Sequence, residues 1–452
     1  MKSKIQNHLA KVTTIFFLVS LLSGISSAQD SLNIEQPVFS DSVLRVSKIS
    51  FIGNETTKDY IIAREMSLKP GSLLTHEALD YDINRIYSLR LFNKVDIQVS
   101  PDSTTANLTV IVSERWFFYP YPILGIKDHL WSRLYYGAGL THTNFGGRNV
   151  QVNGQFAVGY DPYVSFQYYN PLIDRDNNLY FNSKFYYLVS KNESLVSQGT
   201  GANFDERLFG GYVGTGKRLS LFSNLSLTLE YDDITVSNNQ AGRTVSPDGT
   251  DRFFSLNASF QYNTCDFGEY PHRGTLVNVG LSKIGLWEKP IDYQRYNIDL
   301  RRYIPLWDDI VFAARTFGSV VGGGTVPNYG HVFFGYNERI RGHFKTILEG
   351  EEIVGATTEL HFPIISPHYI RFEEIPIEQF RDIRYALYFA LFANTGTTWY
   401  RNQPLAANQF LSGYGAGFHF LISYSVVFRA EYAFGGPTLR NGEVIFDLGA
   451  AL

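Results

Sequence analysis

The chain has 452 residues, a formal net charge of −4 from 39 basic and 43 acidic side chains, 15% aromatic residues and a single cysteine. So small a net charge gives no reason to expect a nucleic-acid partner, and the lone Cys265 leaves no intramolecular disulfide or cysteine-based metal site. No uncharged apolar run reaches the roughly 20 residues of a membrane helix, whereas 30 Tyr, 35 Phe and 39 Gly against 2 Met suit a membrane barrel with aromatic girdles or a secreted all-β protein.

At the N-terminus, Lys2, Lys4 and Lys11 accompany a short apolar stretch, Val12 to Leu22, and the small residues Ser26-Ser27-Ala28. This is the pattern of a secretory signal over residues 1–28, cleaved after Ala28. Its apolar run is too short to span a bilayer as a helix, and no cysteine follows it to carry a lipid anchor. Residues 29–43 are polar and Pro-containing, and read as a linker.

A small α+β unit is predicted over residues 44–115. Val46 to Ile52 is a β-rich run ending at the turn signal Gly53-Asn54. Thr56, with Asp59 three residues on, is a candidate cap for a helix running to about Met66, before Lys69-Pro70-Gly71 breaks it. Thr75 caps a second helix with Glu77 in its first turn, and Leu79, Ile83 and Ile86 form its buried stripe. Lys94 to Val99 alternates as a strand; after a turn at Pro101-Asp102, Leu108 to Val112 is strand-like again. The order is strand, helix, helix, strand, strand. With the segments VSKISFIGN and LRLFNKVDIQV, it resembles a polypeptide-transport-associated (POTRA) domain.

From Trp116 period-two alternation takes over. Phe254, Leu256, Ala258, Phe260 and Tyr262 share one face, opposite Ser255, Asn257, Ser259, Gln261 and Asn263. Tyr296, Ile298 and Leu300 oppose Arg295, Asn297, Asp299 and Arg301; Val426, Phe428, Ala430, Tyr432 and Phe434 oppose Val427, Arg429, Glu431 and Ala433. A water-soluble sandwich also alternates, but charges recurring in strand centres opposite large apolar residues suit a polar lumen and a lipid-facing exterior. About sixteen such segments fit residues 116–452, and an even number closes a barrel with both ends on one side. In the last strand Val444, Phe446, Leu448, Ala450 and Leu452 are expected to face lipid.

The C-terminal half carries the most specific motifs. DFGEYPHRGTLVNVGL (Asp266 to Leu281) resembles a hairpin entering a barrel strand, and VGATTELHFPI (Val354 to Ile364) a strand carrying a glutamate, here Glu359. Between them FFGYNERIRGH holds Ile340-Arg341-Gly342, similar to a signature loop motif of isoleucine or valine, Arg-Gly, then Phe or Tyr; His343 departs from it. FANTG (Phe392 to Gly396) is similar to an F-x-D-x-G strand, with Asn394 in place of the aspartate. In this order the motifs resemble the BamA/TamA superfamily of bacterial outer-membrane assembly and translocation barrels.

The resemblance implies a mainly β protein: a transmembrane antiparallel barrel of about sixteen strands behind one periplasmic POTRA domain. It also implies a loop lock in which Arg341 and Gly342 fold inward toward Glu359, Phe392, Asn394 and Gly396. Phe392, Asn394 and Gly396 share one face of a strand. Arg341 is expected to pair with Glu359, donate to Asn394 and lie against Phe392, with Gly396 leaving room for a close approach. The implied function is insertion or translocation of other proteins without nucleotide. The implied partners are outer-membrane lipids, unfolded client proteins, and periplasmic or lipoprotein subunits met by the POTRA domain. A transport pore or structural barrel that keeps the fold without this activity is the other reading. A single POTRA domain points to an accessory or specialised paralogue. No enzyme activity, cofactor or metal is expected: the chain has no G-x-S-x-G or H-E-x-x-H motif, and Gly322-Gly323-Gly324 lacks the Gly-Lys-Ser/Thr of a phosphate loop. His419 is expected to face the lumen.

Overall fold

The structure is a computed structural model that describes residues 44–126, 133–196, 204–268, 270–287, 290–307, 309–336, 338–375, 381–422, 426–436 and 442–448. The expected signal segment 1–28, the linker 29–43, and Ala450 and Leu452 of the last strand lie outside these residues.

The chain begins with β1 (Arg45–Ile52), α1 (Asp59–Ala63), α2 (His76–Tyr87), β2 (Phe92–Asp102) and β3 (Thr105–Glu114). They form a three-stranded sheet in the order β1-β3-β2, with β1 parallel and β2 antiparallel to β3. Thr75 caps α2 by accepting from the Ala78 N–H, as expected. The first helix differs from expectation. It begins at Asp59, its N-cap Lys58 makes no side-chain cap bond, and it is five residues long. The Thr56 and Thr57 N–H groups, which precede the helix, donate to the Glu114 carboxylate at 3.1 and 2.6 Å, so a tertiary acceptor at the end of β3 holds Thr56 in the segment ahead of the helix. The β2–β3 turn also lies later than expected: β2 runs through Pro101 and Asp102, and Ser103 takes the left-handed conformation. β2 lies at the edge of the sheet, where a proline is tolerated.

Eleven strands follow without a break in order: β4 (Phe118–Ile126), β5 (Leu134–Phe145), β6 (Val150–Gly159), β7 (Tyr163–Asp174), β8 (Leu179–Lys191), β9 (Asp205–Arg218), β10 (Ser223–Val236), β11 (Thr250–Asn263), β12 (Gly274–Leu286), β13 (Tyr293–Pro305) and β14 (Val311–Gly323). A small hairpin, β15 (Val332–Phe334) with β16 (Leu348–Gly350), lies within the next loop. Then come β17 (Glu352–Arg371), β18 (Asp382–Trp399), β19 (Leu411–Ile422), β20 (Val426–Gly435) and β21 (Gly442–Leu448). Setting the hairpin aside, β4 to β21 form one sixteen-stranded antiparallel sheet in chain order, with β4 and β21 at its ends. Among the described residues no ladder joins those two ends.

Alternation assigns the two faces. On β19, Gly413, Gly417 and His419 are buried while Tyr414, Phe418 and Phe420 are exposed. On β21, Val444 and Phe446 are 63% and 67% exposed and Ile445 is 6% exposed. Outward apolar residues such as Phe156, Phe166, Leu227, Val279, Ile298 and Phe428 recur around the sheet, far more than a soluble protein leaves in water. A hydrocarbon-facing exterior accounts for them.

The small domain packs against the turn-side end of this sheet. Its core of Val46, Ile61, Ile62, Ile86, Leu108 and Val110 continues into Phe267 and Tyr270 of the β11–β12 turn and into Ala386, Tyr388 and Val427. Polar contacts surround the seam between the two. Asn144 donates to Thr57 Oγ1 at 2.8 Å, Lys58 N–H to the Gly147 carbonyl at 2.9 Å, and Arg64 to the Pro171 carbonyl at 3.0 Å. Glu65, 9% exposed, receives both arms of Arg218 at 2.5 and 2.9 Å and Arg85 at 3.0 Å. Burial would raise the Glu65 pKa, but the hydrogen bonds and charge of Arg218, with Arg85 and Arg64 nearby, hold it below its ordinary value.

Candidate functional site: an inward loop held by a buried ionic cluster

The loop between β14 and β17 is long, and its grip on the sheet is built from both of its ends inward. Phe334, 3% exposed, packs with Ile340, Ile353 and Phe317. Its ring lies over Gly396, where any Cβ would overlap it. The room at Gly396 therefore serves Phe334, not the guanidinium that the sequence suggested. Glu338 pairs with Arg315 of β14 at 2.8 Å, and Arg315 also holds Asp299 of β13 at 2.9 Å. At the other end the Phe344 N–H donates to Glu443 of β21 at 2.9 Å. The loop thus bridges β13–β14 and the last strand.

Arg341 lies between these anchors. Its guanidinium is 2.7 Å from Glu359 Oε1 on β17 and 2.9 Å from Glu431 Oε1 on β20. It also stacks on the Phe392 ring at 3.8 Å. With its amide oriented to suit its neighbours, Asn394 accepts from Arg341 N at 3.1 Å and Nε at 3.2 Å, and donates to the Gly413 carbonyl at 3.0 Å. Glu359 and Glu431 are 1% and 2% exposed, Phe392 4% and Asn394 7%. Charge-assisted bonds in a site closed to water are the strong kind. Of the six expected residues, Arg341, Glu359, Phe392 and Asn394 meet directly. Gly342 takes φ +89°, a conformation open to glycine at little cost; it presses on the Phe434 backbone, where a Cβ would clash.

Sequence reasoning missed the second carboxylate, Glu431, and the floor beneath the loop. Gly413, Gly415 and Gly417 alternate on the lumen face of β19. A Cβ at Gly413 would overlap the Arg341 carbonyl, at Gly415 the Phe392 ring, and at Gly417 the Glu431 side chain. The Gly-x-Gly-x-Gly spacing was visible and marks a strand that other groups cross closely. His343 turns its Nε2 to the Ser412 carbonyl at 3.1 Å, a polar contact where the resemblance has an aromatic ring.

Beyond Arg341 the buried groups continue. His361 Nε2 meets Glu359 Oε2 at 2.7 Å, His419 Nε2 meets Glu431 Oε1 at 3.1 Å, and His419 Nδ1 meets the Tyr270 hydroxyl at 3.0 Å. His419 faces the lumen side, 0% exposed.

The Omp85 superfamily domain matches residues 144–438, and the POTRA family, described as surface antigen variable number repeat, matches residues 44–115. A curated relative, outer membrane protein assembly factor BamA of Nitratidesulfovibrio vulgaris, is 22% identical over 330 residues, covering 66% of this chain. The chain spans only 37% of that relative's length. Among solved structures, BamA from Haemophilus ducreyi lacking POTRA domains 1–3 is 18% identical, with a TM-score of 0.50 over 90% of this chain and 83% of its own. CdiB from Escherichia coli is 11% identical, with a TM-score of 0.57 over 90% and 76%. These likenesses establish a shared fold.

Proposed function

Because the chain belongs to the Omp85 superfamily, we propose that it assists insertion or translocation of other proteins at the bacterial outer membrane, with residues 44–115 in the periplasm. The observation that carries this reading is the pair of sheet ends. Among the described residues β4 and β21 share no ladder, and an unpaired strand edge is a template for an incoming strand. The energy then comes from the client's own pairing and burial, so no nucleotide is needed. The loop supports the reading: Arg341 and Phe344 tie it to Glu431 of β20 and Glu443 of β21. Here it acts as a lock that steadies the strands beside the opening. The outer edge of β2 offers a pairing site for extended clients or for periplasmic and lipoprotein partners, and lipid covers the outward apolar face.

The test is a seam lock. One cysteine in β4 and one in β21 are oxidised across the ends in cells, and the outer-membrane proteome is compared with that of the reduced form and of a strain depleted of the protein. Loss of particular outer-membrane or secreted proteins on both depletion and oxidation is the expected result. A proteome changed by neither treatment would favour a pore or a structural barrel.

A further inference from the structure

Ion pairing leaves the buried cluster below Arg341 one positive charge short. Glu359 and Glu431 are both buried and share the Arg341 guanidinium. Arg429, two residues from Glu431, is engaged by Asp447. Two buried carboxylates against one shared guanidinium are a costly arrangement unless further positive charge reaches them.

The side chains that could hold a cation are already gathered. Glu359 and His361 stand two apart on one face of β17, and His419 reaches them from β19. The position on β18 opposite His361 is Ala390, and the one on β19 opposite Ala390 is Gly417; His419 stands two residues on from Gly417, and its ring centroid is 5.9 Å from that of His361. One donor atom from each of Glu359, His361 and His419 lies within 4.8 Å of the others. All three residues are 0–1% exposed. His361 Nδ1 is buried with no hydrogen-bond partner among the described residues. The Tyr270 ring stacks on His361 at 4.5 Å and its hydroxyl holds His419, which fixes both rings.

We propose that Glu359, His361 and His419 form a binding site for a divalent transition ion of the zinc type, and that this ion competes with Arg341 for Glu359. Two imidazoles and one carboxylate are a common zinc donor set, whereas calcium and magnesium take mostly oxygen ligands. Zinc bonds of about 2.0–2.2 Å place tetrahedral ligands roughly 3.4 Å apart, so donor atoms within 4.8 Å of one another close by at most about 1.4 Å, and His419 gives up one of its two hydrogen bonds, to Glu431 or to Tyr270, on binding. Arg341 lies 2.7 Å from one Glu359 oxygen, so ion and guanidinium repel each other and share one anion. Occupation by the ion loosens the hold on the loop, and the seated loop weakens the ion. The proposal is independent of whether the protein handles client proteins.

The test uses the full chain, extracted in detergent, stripped with chelator and dialysed against zinc chloride. One zinc ion per chain is expected. His361→Gln and His419→Gln each weaken binding about tenfold or more. Arg341→Ala tightens it by a similar factor, because the competing cation is gone. Zinc also speeds protease cleavage within residues 333–343 of the unaltered chain. Zinc affinity identical in the unaltered chain and both histidine variants overturns the site, and weaker zinc binding by Arg341→Ala overturns the competition. Should a histidine variant fail to form the heat-modifiable barrel, cobalt chloride on the unaltered chain decides. Tetrahedral cobalt with nitrogen and oxygen donors absorbs strongly in the visible range, and a spectrum no stronger than that of aqueous cobalt overturns the site.

Discussion

Replacing Arg341 with alanine removes the guanidinium that Glu359 and Glu431 share at 2.7 and 2.9 Å. Breaking a buried ion pair costs about 3–5 kcal/mol, because the partner stays charged without its counterion. Two carboxylates are orphaned here, but each keeps its hydrogen bond to an imidazole, Glu359 to His361 and Glu431 to His419. The whole loss is therefore expected near about 3–5 kcal/mol, with up to about 2 kcal/mol more from the ring contact at Phe392. Glu359→Gln is milder, since it lowers the excess negative charge and leaves the Arg341–Glu431 pair intact. In the double variant one of the two orphaned charges is already gone, so it should be no less stable than Arg341→Ala alone, with a coupling of about 1–3 kcal/mol. Arg341→Lys keeps the charge without the planar fork and should fall between. The assay is the urea midpoint of the heat-modifiable folded barrel for all four variants, read beside protease cleavage within residues 333–343. Strictly additive losses, or an Arg341→Ala barrel with an unchanged midpoint and a protected loop, would refute the lock.

Phe446, 67% exposed on the outward face of β21 and stacked with Phe428 at 6.1 Å, is expected to tolerate no charge. Phe446→Asp should impair heat-modifiable barrel formation, since a lipid-facing basic residue costs about 2–4 kcal/mol near the midplane and an acid somewhat less; assembly at the normal rate contradicts the face assignment. The contact between the small domain and the barrel should depend on pH through Glu65. Its pKa is held below the ordinary 4.5, so its stabilisation is complete well above pH 4.5 and fades as the pH falls through the lower folded value. Arg218→Ala removes two hydrogen bonds to a charged group and should weaken the contact by about 1.5–3 kcal/mol. Protease access to residues 45–114 of the purified protein at pH 7 and at low pH reads both effects. Equal access in both proteins at both pH values argues against the Arg218–Glu65 clamp.

Much of the fold was legible locally. In a strand successive side chains point to opposite faces, so the alternation of Tyr296 with Arg295 and Asn297, or of Phe428 with Arg429, sorted lipid from lumen without knowledge of any neighbour. Thr75 with Glu77 likewise marked the start of α2, because a cap is made within one turn. The first helix was misjudged at Thr56 because its deciding acceptor, Glu114, lies 58 residues away in sequence. Local chemistry favoured a cap, and a tertiary carboxylate holds Thr56 in the segment ahead of the helix. The same limit governs the lock. Period two put Glu359, Phe392 and Asn394 on the lumen face, and the motif resemblance drew Arg341 to them. Glu431 joins them only through the registers of three successive ladders, β17 to β18 to β19 to β20. The stripe Gly413, Gly415, Gly417 shows the division most plainly. Its spacing is written in the sequence, but an absent side chain does not say what fills its space. Only the folded barrel brings the Arg341 carbonyl, the Phe392 ring and Glu431 against that strand, because register and close packing are properties of pairs of segments and periodicity is a property of one.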